Sequence, residues 1–264
     1  MLNAEQISQF ERSGFVNGGA VLDDATVETL RQEVMRVIDD RDNAAVPQPV
    51  LLRDLGTVPS HPVWQIVNIW QASPAFEALI HNPAILDMAA QLSGAKQLRV
   101  WHDQIQYKPK EHGGRLNWHQ DSPLWDILQP KTQQLSAWIA LDDADVDNGC
   151  MSMVPGSHKW GDKQAAINEM PESGLLPETF EGERVHVIMC PVQKGHVHFH
   201  TGLTWHSSGV NHSARMRRAI AIHLMTEKTT YDAGGAHIMK PFVSVPGGAP
   251  LSGDVFPLVW NHPA

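Results

Sequence analysis

Six short segments of alternating apolar and polar residues lie between residues 97 and 226, and little helical pattern separates them. In chain order they read QLRVWHDQIQYKP, QQLSAWIALDDA, GCMSMVP, ERVHVIMCP, GHVHFHTG and RRAIAIHLM. Each is bounded by Gly, Pro, Asn or Asp, as strands joined by turns usually are. Because helices do not alternate with these strands, the pattern predicts an antiparallel barrel or two-sheet roll rather than an α/β sheet.

Helical patterns dominate the residues that precede this region. Apolar residues recur at helical spacing in residues 4–13, 24–38, 74–81 and 83–93. Residues 41–62, between the second and third of these helices, are rich in proline and are expected to be irregular.

These patterns predict one domain over residues 1–264, mainly β with α-helices. Its parts are a helical cap and irregular excursion over residues 1–96, a β-roll core over 97–226, and a tail over 227–264 packed on the core.

The composition narrows the classes of partner. The formal net charge is −9, which argues against nucleic acid or an anionic membrane surface as a partner. No run approaches the roughly 18 consecutive apolar residues of a membrane span. Two cysteines do not make a disulfide framework, and the N-terminus lacks the pattern of a secretory signal, so we expect a cytoplasmic protein. The oligomeric state stays open.

The segment NWHQDSPLW places His119 and Asp121 two residues apart. In an extended chain, residues i and i+2 point to the same side, so this imidazole and carboxylate converge. The pair is a weak signal alone, because a chain with 15 histidines is expected to contain about one HxD by chance.

A second segment strengthens the interpretation. GLTWHSSGVNHSARMRRAIAIHLM places His206 at the end of one extended run and Arg217 at the start of another, eleven residues later. Two histidines and one carboxylate are the ligand set of non-haem Fe(II) oxygenases, whose three protein ligands leave positions open for a cosubstrate and O₂. An arginine suits the far carboxylate of 2-oxoglutarate, because its planar fork binds a carboxylate through two hydrogen bonds. The spacing from His206 favours Arg217 for this role and leaves Arg215 at the rim.

These motifs resemble those of a known family. The run WHQD…LSAWIALDDADVDNGCMSMVPGSH…GLTWHSSGVNHSARMRRAIAIHLM is similar to the phytanoyl-CoA dioxygenase family of Fe(II)/2-oxoglutarate-dependent oxygenases. The resemblance covers roughly residues 97–226, and the N-terminal helices resemble that family's cap. It implies a double-stranded β-helix, the jelly-roll or cupin-like fold, in agreement with the roll predicted from the six segments.

The resemblance also implies an activity and its site. The implied enzyme is a dioxygenase that uses Fe(II), 2-oxoglutarate and O₂ to hydroxylate, or otherwise oxidise, a C–H bond of a small organic metabolite, and releases succinate and CO₂. The implied iron ligands are His119, Asp121 and His206. Because halogenating relatives have a small residue in place of Asp121, hydroxylation is favoured over halogenation.

Further residues receive roles from the same resemblance. The implied contacts of 2-oxoglutarate are Arg217, Ser208, Trp138 and Tyr107. The implied substrate contact is Trp125, six residues past His119. We expect the pocket mouth to combine the Trp125 loop with residues 41–62 and 158–182, because specificity tends to lie on loops. Three basic residues near this entrance, Lys108, Lys110 and Arg115, are expected to be exposed.

Two other functions remain open at this point. His196, His198 and His200 alternate along one strand and face the same way, so with His206 they offer a rival zinc site and a zinc hydrolase; the plain alternative is a strand with a polar, histidine-rich face. The second is a non-catalytic metal- or ligand-binding β-roll. The spacing from His206 to Arg217 separates these possibilities, since neither alternative needs a carboxylate-binding arginine there.

Overall fold

The computed structural model of the protein describes residues 1–55, 63–111, 114–170 and 175–262. The helices are α1 (Ala4–Ser13), α2 (Asp24–Asp39), α3 (Pro74–Ile80), α4 (Pro83–Ser93), α5 (Asp121–Leu124) and α6 (Gln164–Asn168). Short 3-10 helices lie at Ile69–Gln71, Ser157–Trp160 and Lys240–Phe242. The strands are β1 (Phe15–Ala20), β2 (Leu51–Asp54), β3 (Trp64–Val67), β4 (Gln97–Lys108), β5 (Leu116–His119), β6 (Leu128–Gln129), β7 (Gln134–Ala140), β8 (Met151–Met153), β9 (Thr179–Phe180), β10 (Glu183–Arg184), β11 (Ile188–Cys190), β12 (His196–Thr201), β13 (His206–Ser208), β14 (Arg217–Thr226), β15 (Thr230–Tyr231) and β16 (Leu258–Asn261).

Two antiparallel sheets make the roll that the alternating segments predict. The larger has the strand order β1-β12-β7-β14-β4-β3-β2, and β16 also pairs with β4. The smaller has the order β11-β8-β13-β5. Strands that are distant in sequence lie side by side in both sheets.

One face of the larger sheet packs against the N-terminal helices. On β14, Ile220, Ile222 and Leu224 join an apolar cluster that also contains residues of α1 to α4. Ala219 and Ala221, which alternate with these residues, face the interior of the roll and belong to a second apolar cluster. Both faces of the central strands are therefore buried, and the interior face is the one available for a site.

The helix ends follow local sequence signals. Asn3 and Gln6 form a capping box at the start of α1, and Gly14 ends the helix in the left-handed conformation with φ of 85°. A side chain at Gly14 would collide with the side chains of His158 and Thr204, so this position requires glycine for space as well as for conformation. Pro83 begins α4 and Gly94 ends it, as the sequence predicts.

The larger sheet is not confined to residues 97–226. It takes β1 from the predicted helical cap, and β16 from the tail. The prediction that 41–62 is wholly irregular is wrong for β2, which pairs with β3 and through it with β4. The exposed edge of a sheet has unpaired backbone groups that can hydrogen-bond to any extended segment. β2 therefore forms although residues 51–54 lack an alternating pattern. Residues 56–62 lie outside the described residues.

Within the described ranges, no helix combines enough length with enough apolar character to cross a membrane.

Candidate active site

The three predicted metal ligands lie close together, on β5, α5 and β13. His119 ends β5, Asp121 begins α5 and His206 begins β13, where it is the register partner of His119. One ligand atom from each lies within 4.8 Å of the others. Asp121 Oδ1 is 3.7 Å from His119 Nε2 and 3.6 Å from His206 Nε2. Among the described residues, no other cluster of three histidine, cysteine or acidic side chains has this geometry.

Backbone carbonyls fix the tautomer of both histidines. The Nδ1 atom of His119 lies 2.8 Å from the Asn117 carbonyl oxygen, and that of His206 lies 2.9 Å from the Thr204 carbonyl oxygen. Each Nδ1–H therefore donates to a carbonyl, which leaves Nε2 as a free lone pair. These are the ring nitrogens that face Asp121.

Burial and charge suit a divalent metal. Burial lowers the pKa of His206 well below its usual value, so its imidazole is neutral, as a metal ligand must be. Burial alone would raise the pKa of Asp121, but the adjacent His206 and a hydrogen bond from His200 hold that pKa well below its usual range. The site thus combines two imidazoles with one ionised carboxylate, the donor set of non-haem Fe(II) sites.

Arg217 is buried inside the roll with most of its hydrogen-bonding capacity unused. It is 1% exposed, and its Nη2 donates to the Gly149 carbonyl oxygen at 3.3 Å. Among the described residues, Nε and Nη1 have no hydrogen-bond partner. Burial lowers its pKa to about 10, so the group still carries its charge at neutral pH. A buried cation with two free donors is costly to maintain, and it fits the bidentate binding of a carboxylate.

Two alanines lie between Arg217 and His223 on the interior face of β14. These are Ala219 and Ala221, and Ala221 is the register partner of Trp138. A cavity at this face is lined by Asp121, His206, Trp138, Met151, Ser207, Ser208, Ala221 and other residues. The Trp138 ring also lies 5.6 Å from the Arg217 guanidinium carbon. Ser208 and Trp138 therefore line the same cavity as two of the predicted metal ligands, and Arg217 lies beside Trp138.

Lys108 is a further polar residue of this site, and it is buried. It is 5% exposed, is the register partner of Arg217, and donates from Nζ to Ser208 Oγ at 2.8 Å and to the Gly209 carbonyl oxygen. Burial, assisted by the charge of Arg217, lowers its pKa to about 6. The expectation of an exposed Lys108 is wrong, because β13 covers the end of β4. The alternation of side chains along β4 could have indicated this burial, since Gln104, Gln106 and Lys108 lie on the same face of the strand.

Tyr107 and Trp125 are not brought to the metal cavity. Tyr107 has the opposite parity to Lys108, joins the helix-side cluster and donates from its hydroxyl to Met216 Sδ at 3.9 Å. It lines a separate cleft, the outer cleft, which lies between β3, the end of β4 and the start of β5. Trp125 is 5% exposed within an aromatic cluster, and its ring centroid is 4.8 Å from that of His223. It therefore lies behind the site and lines neither cavity.

The histidine-rich strand does not assemble the rival zinc site within the described residues. His198 is buried beside Phe15, with ring centroids 5.7 Å apart, and burial lowers its pKa to about 3. His200 points instead to Asp121, with Nε2 3.1 Å from Oδ2. The strand thus supplies a neighbour to the predicted metal centre.

The two predicted entrance loops differ in their positions. Leu55 and Val63, at the ends of the excursion, line the outer cleft. In contrast, Trp160 and Phe180 of the 158–182 segment pack on Trp205, with ring centroids 5.0 and 4.8 Å away. These two side chains cover Trp205, and the role of the 158–182 segment at the entrance stays a prediction. Residues 171–174 lie outside the described ranges.

A mainly β roll, a cluster of two histidines and one carboxylate, and a buried arginine beside Trp138 together define an iron- and 2-oxoglutarate-dependent oxygenase. The family described as phytanoyl-CoA dioxygenase (PhyH) matches residues 10–219, and the chain belongs to this family. The family and the class of enzyme predicted from the motifs are confirmed.

Individual relatives support the same fold and cofactors. A phytanoyl-CoA dioxygenase domain-containing protein 1 homolog of Caenorhabditis elegans is 27% identical, over 84% of this chain and 90% of that protein. An ectoine dioxygenase of Bordetella parapertussis is 31% identical, over 60% of this chain and 50% of that protein. The crystal structure of SnoK, a non-haem α-ketoglutarate-dependent carbocyclase from nogalamycin biosynthesis, is 26% identical with a TM-score of 0.77, over 98% of this chain and 97% of that one. The jelly-roll fold is thereby confirmed.

The buried Lys108 gives the site a measurable pH dependence. Its pKa is about 6 in the folded protein and near 10.4 in an unfolded chain, so the unfolded state binds more protons between these values. Stability should therefore rise with pH above about 6, by up to about 1.4 kcal/mol per pH unit from this group. We expect Lys108→Met to lose this rise, measured as the free energy of unfolding by urea from pH 6 to 9.

The matched control is Lys110→Met, two residues further along the chain and exposed to solvent. It should keep the wild-type pH dependence. Identical pH profiles for Lys108→Met and the wild type would contradict the buried, neutral state of Lys108.

Proposed function

We propose that this enzyme hydroxylates, or otherwise oxidises, a C–H bond of a small organic metabolite, and that His119, Asp121 and His206 hold its iron. The observation that carries the proposal is the buried guanidinium of Arg217, whose Nε and Nη1 lack partners among the described residues. It lies beside Trp138, a wall of the cavity that reaches Asp121 and His206. When bound, Fe(II) and 2-oxoglutarate would activate O₂ as the oxidant of the metabolite, and succinate and CO₂ would be released.

We assign the binding of the far carboxylate of 2-oxoglutarate to a group of cationic and hydroxyl donors. Nε and Nη1 of Arg217 are free to donate to a carboxylate. Ser208 Oγ accepts from Lys108 Nζ, so its own O–H is available to the same anion. Trp138 forms the wall beside the guanidinium. Charge on the anion would in turn favour the protonated form of Lys108.

The metabolite is assigned to the outer cleft that adjoins the metal cavity. This cleft has a volume of about 130 Å³ and lies between β3, the end of β4 and the start of β5. It shares Gln106, Leu116 and Ser208 with the metal cavity. Trp64 and Leu55 give it apolar walls. A small molecule seated there would adjoin the metal cavity through these three shared residues.

Two glutamines set the polarity of this cleft. Gln106 Oε1 accepts from the Trp138 indole N–H at 3.3 Å, and Gln65 Oε1 accepts from Arg53 Nε at 2.7 Å. Because both partners only donate, the orientations of the two amides are fixed and their NH₂ groups remain free. No carboxylate is found among the described lining residues. The cleft therefore suits a neutral or anionic metabolite that carries acceptor oxygens, and disfavours a cation.

The proposed location is the cytoplasm. Cys150 and Cys190 are both buried and unpaired as thiols, which suits a reducing compartment.

Removing the Arg217 guanidinium should weaken the binding of 2-oxoglutarate selectively. A hydrogen bond to a charged group contributes about 1.5–3 kcal/mol, so Arg217→Ala should raise the 2-oxoglutarate concentration needed for half-maximal succinate release by roughly 10- to 100-fold. Arg215→Ala is the control, since Arg215 is exposed and paired with Asp145, and it should leave that concentration unchanged. The reverse pattern would show that Arg215 is the carboxylate ligand.

The charge preference of the cleft can be tested with one-ring probes. With Mn²⁺ and saturating 2-oxoglutarate, saturation-transfer NMR should show benzyl alcohol and benzoate bound more strongly than benzylammonium. Gln106→Glu keeps the acceptor for Trp138 but replaces the free NH₂ by an anionic oxygen, and should reverse the order of benzoate and benzylammonium. Stronger binding of benzylammonium by the wild type would contradict the proposed substrate chemistry.

A further inference from the structure

Three polar residues behind Asp121 form one row across the larger sheet. His200 on β12 is the register partner of Ser136 on β7, and Ser136 is the register partner of His223 on β14. All three are at most 4% exposed. His200 and His223 line the same cavity as Asp121 and His206.

This row holds one oxygen of the Asp121 carboxylate. Ser136 Oγ lies 2.8 Å from Asp121 Oδ2, and His200 Nε2 lies 3.1 Å from the same oxygen. His223 Nδ1 lies 2.7 Å from Ser136 Oγ. The second carboxylate oxygen, Oδ1, instead faces the Nε2 atoms of His119 and His206.

The positions of the protons follow from the acceptor-only nature of an ionised carboxylate. Ser136 donates its O–H to Asp121 Oδ2 and accepts from His223 Nδ1–H. His200 carries its proton on Nε2 and donates it to the same Oδ2. Oδ2 is thus occupied by two donors in a water-poor environment, where hydrogen bonds are strong.

We propose that Ser136 and His200, with His223 behind Ser136, are positioning residues for the metal-ligand carboxylate. They bind Oδ2 and so leave Oδ1 as the single carboxylate oxygen available to the metal. This keeps the protein's contribution at two nitrogens and one oxygen, and preserves the open positions that the cosubstrate and O₂ require. The inference rests on the proposed function, because it assumes that Asp121 binds the metal.

The chain contains an internal control for this role. His198 lies on the same strand and the same face as His200 and is equally buried, at 3% exposed. It stacks on Phe15, and its Nδ1 has no hydrogen-bond partner. Since it does not contact Asp121 in the structure, loss of a buried histidine can be separated from loss of the hydrogen bond to the carboxylate.

The test is the affinity of the cofactor-free protein for Mn²⁺ alone, measured by isothermal titration calorimetry. Loss of such a hydrogen bond typically weakens metal binding 10- to 100-fold, and we expect this for both Ser136→Ala and His200→Leu. His200→Gln keeps an N–H donor and should recover most of the affinity. His198→Leu should bind Mn²⁺ like the wild type. Urea unfolding without metal identifies any variant that has lost its fold, and the near-isosteric Ser136→Ala is the variant least prone to this.

A spectroscopic readout adds a second measurement. In anaerobic Fe(II) protein with 2-oxoglutarate, Ser136→Ala should shift the visible absorption band, whereas His198→Leu should not. Wild-type affinity for Mn²⁺ in both Ser136→Ala and His200→Leu, or an equal loss in His198→Leu, would overturn the inference and leave the proposed function standing. A wild-type protein that fails to bind Mn²⁺ would overturn both.

Discussion

Two opposite charges are buried on the interior face of the roll, and the arrangement of the site follows from where each is placed. Asp121 is stabilised by the histidines and the serine around it. Arg217, six residues before His223 on the same strand, keeps two donors without a partner. A buried charge is tolerated only when something pairs with it. A metal at one end and a carboxylate at the other complete both pairings, and one molecule of 2-oxoglutarate has the groups to reach both.

The sheet provides this arrangement through its register. The row of His200, Ser136 and His223 lies at the metal end, and the paired Arg217 and Lys108 lie at the other. Between these rows, Ala221 and Trp138 line the cavity that reaches Asp121 and His206, and Ala219 belongs to the same apolar cluster. A larger side chain at Ala221 would fill part of that cavity. The alternation of β14 therefore places Arg217, Ala221 and His223 on the face that bears the site.

Much of this could be predicted from local patterns. The HxD pair and the spacing from His206 to Arg217 depend only on neighbouring residues and on strand parity, and both predictions agree with the geometry. Lys108 was missed because its burial depends on Ser208, 100 residues away in sequence. The resemblance implies a contact between Tyr107 and 2-oxoglutarate, but the Tyr107 side chain lies on the opposite face of β4 from Lys108. The three histidines of β12 look equivalent in sequence, and only their pairing with β7 shows that His200 alone reaches Asp121.

The two ends of the cavity can be tested against each other in a single titration. Anaerobic Fe(II) protein should be titrated with 2-oxoglutarate and with 2-oxobutanoate, which has the same keto acid end but no distal carboxylate, and followed by the visible band of the bound keto acid. The wild type should bind 2-oxoglutarate at least 10-fold more tightly, in keeping with a charge-assisted hydrogen bond of about 1.5–3 kcal/mol. In Arg217→Ala the two affinities should converge. An unchanged preference for 2-oxoglutarate in Arg217→Ala would contradict the claim that the metal ligands and Arg217 bind opposite ends of one cosubstrate.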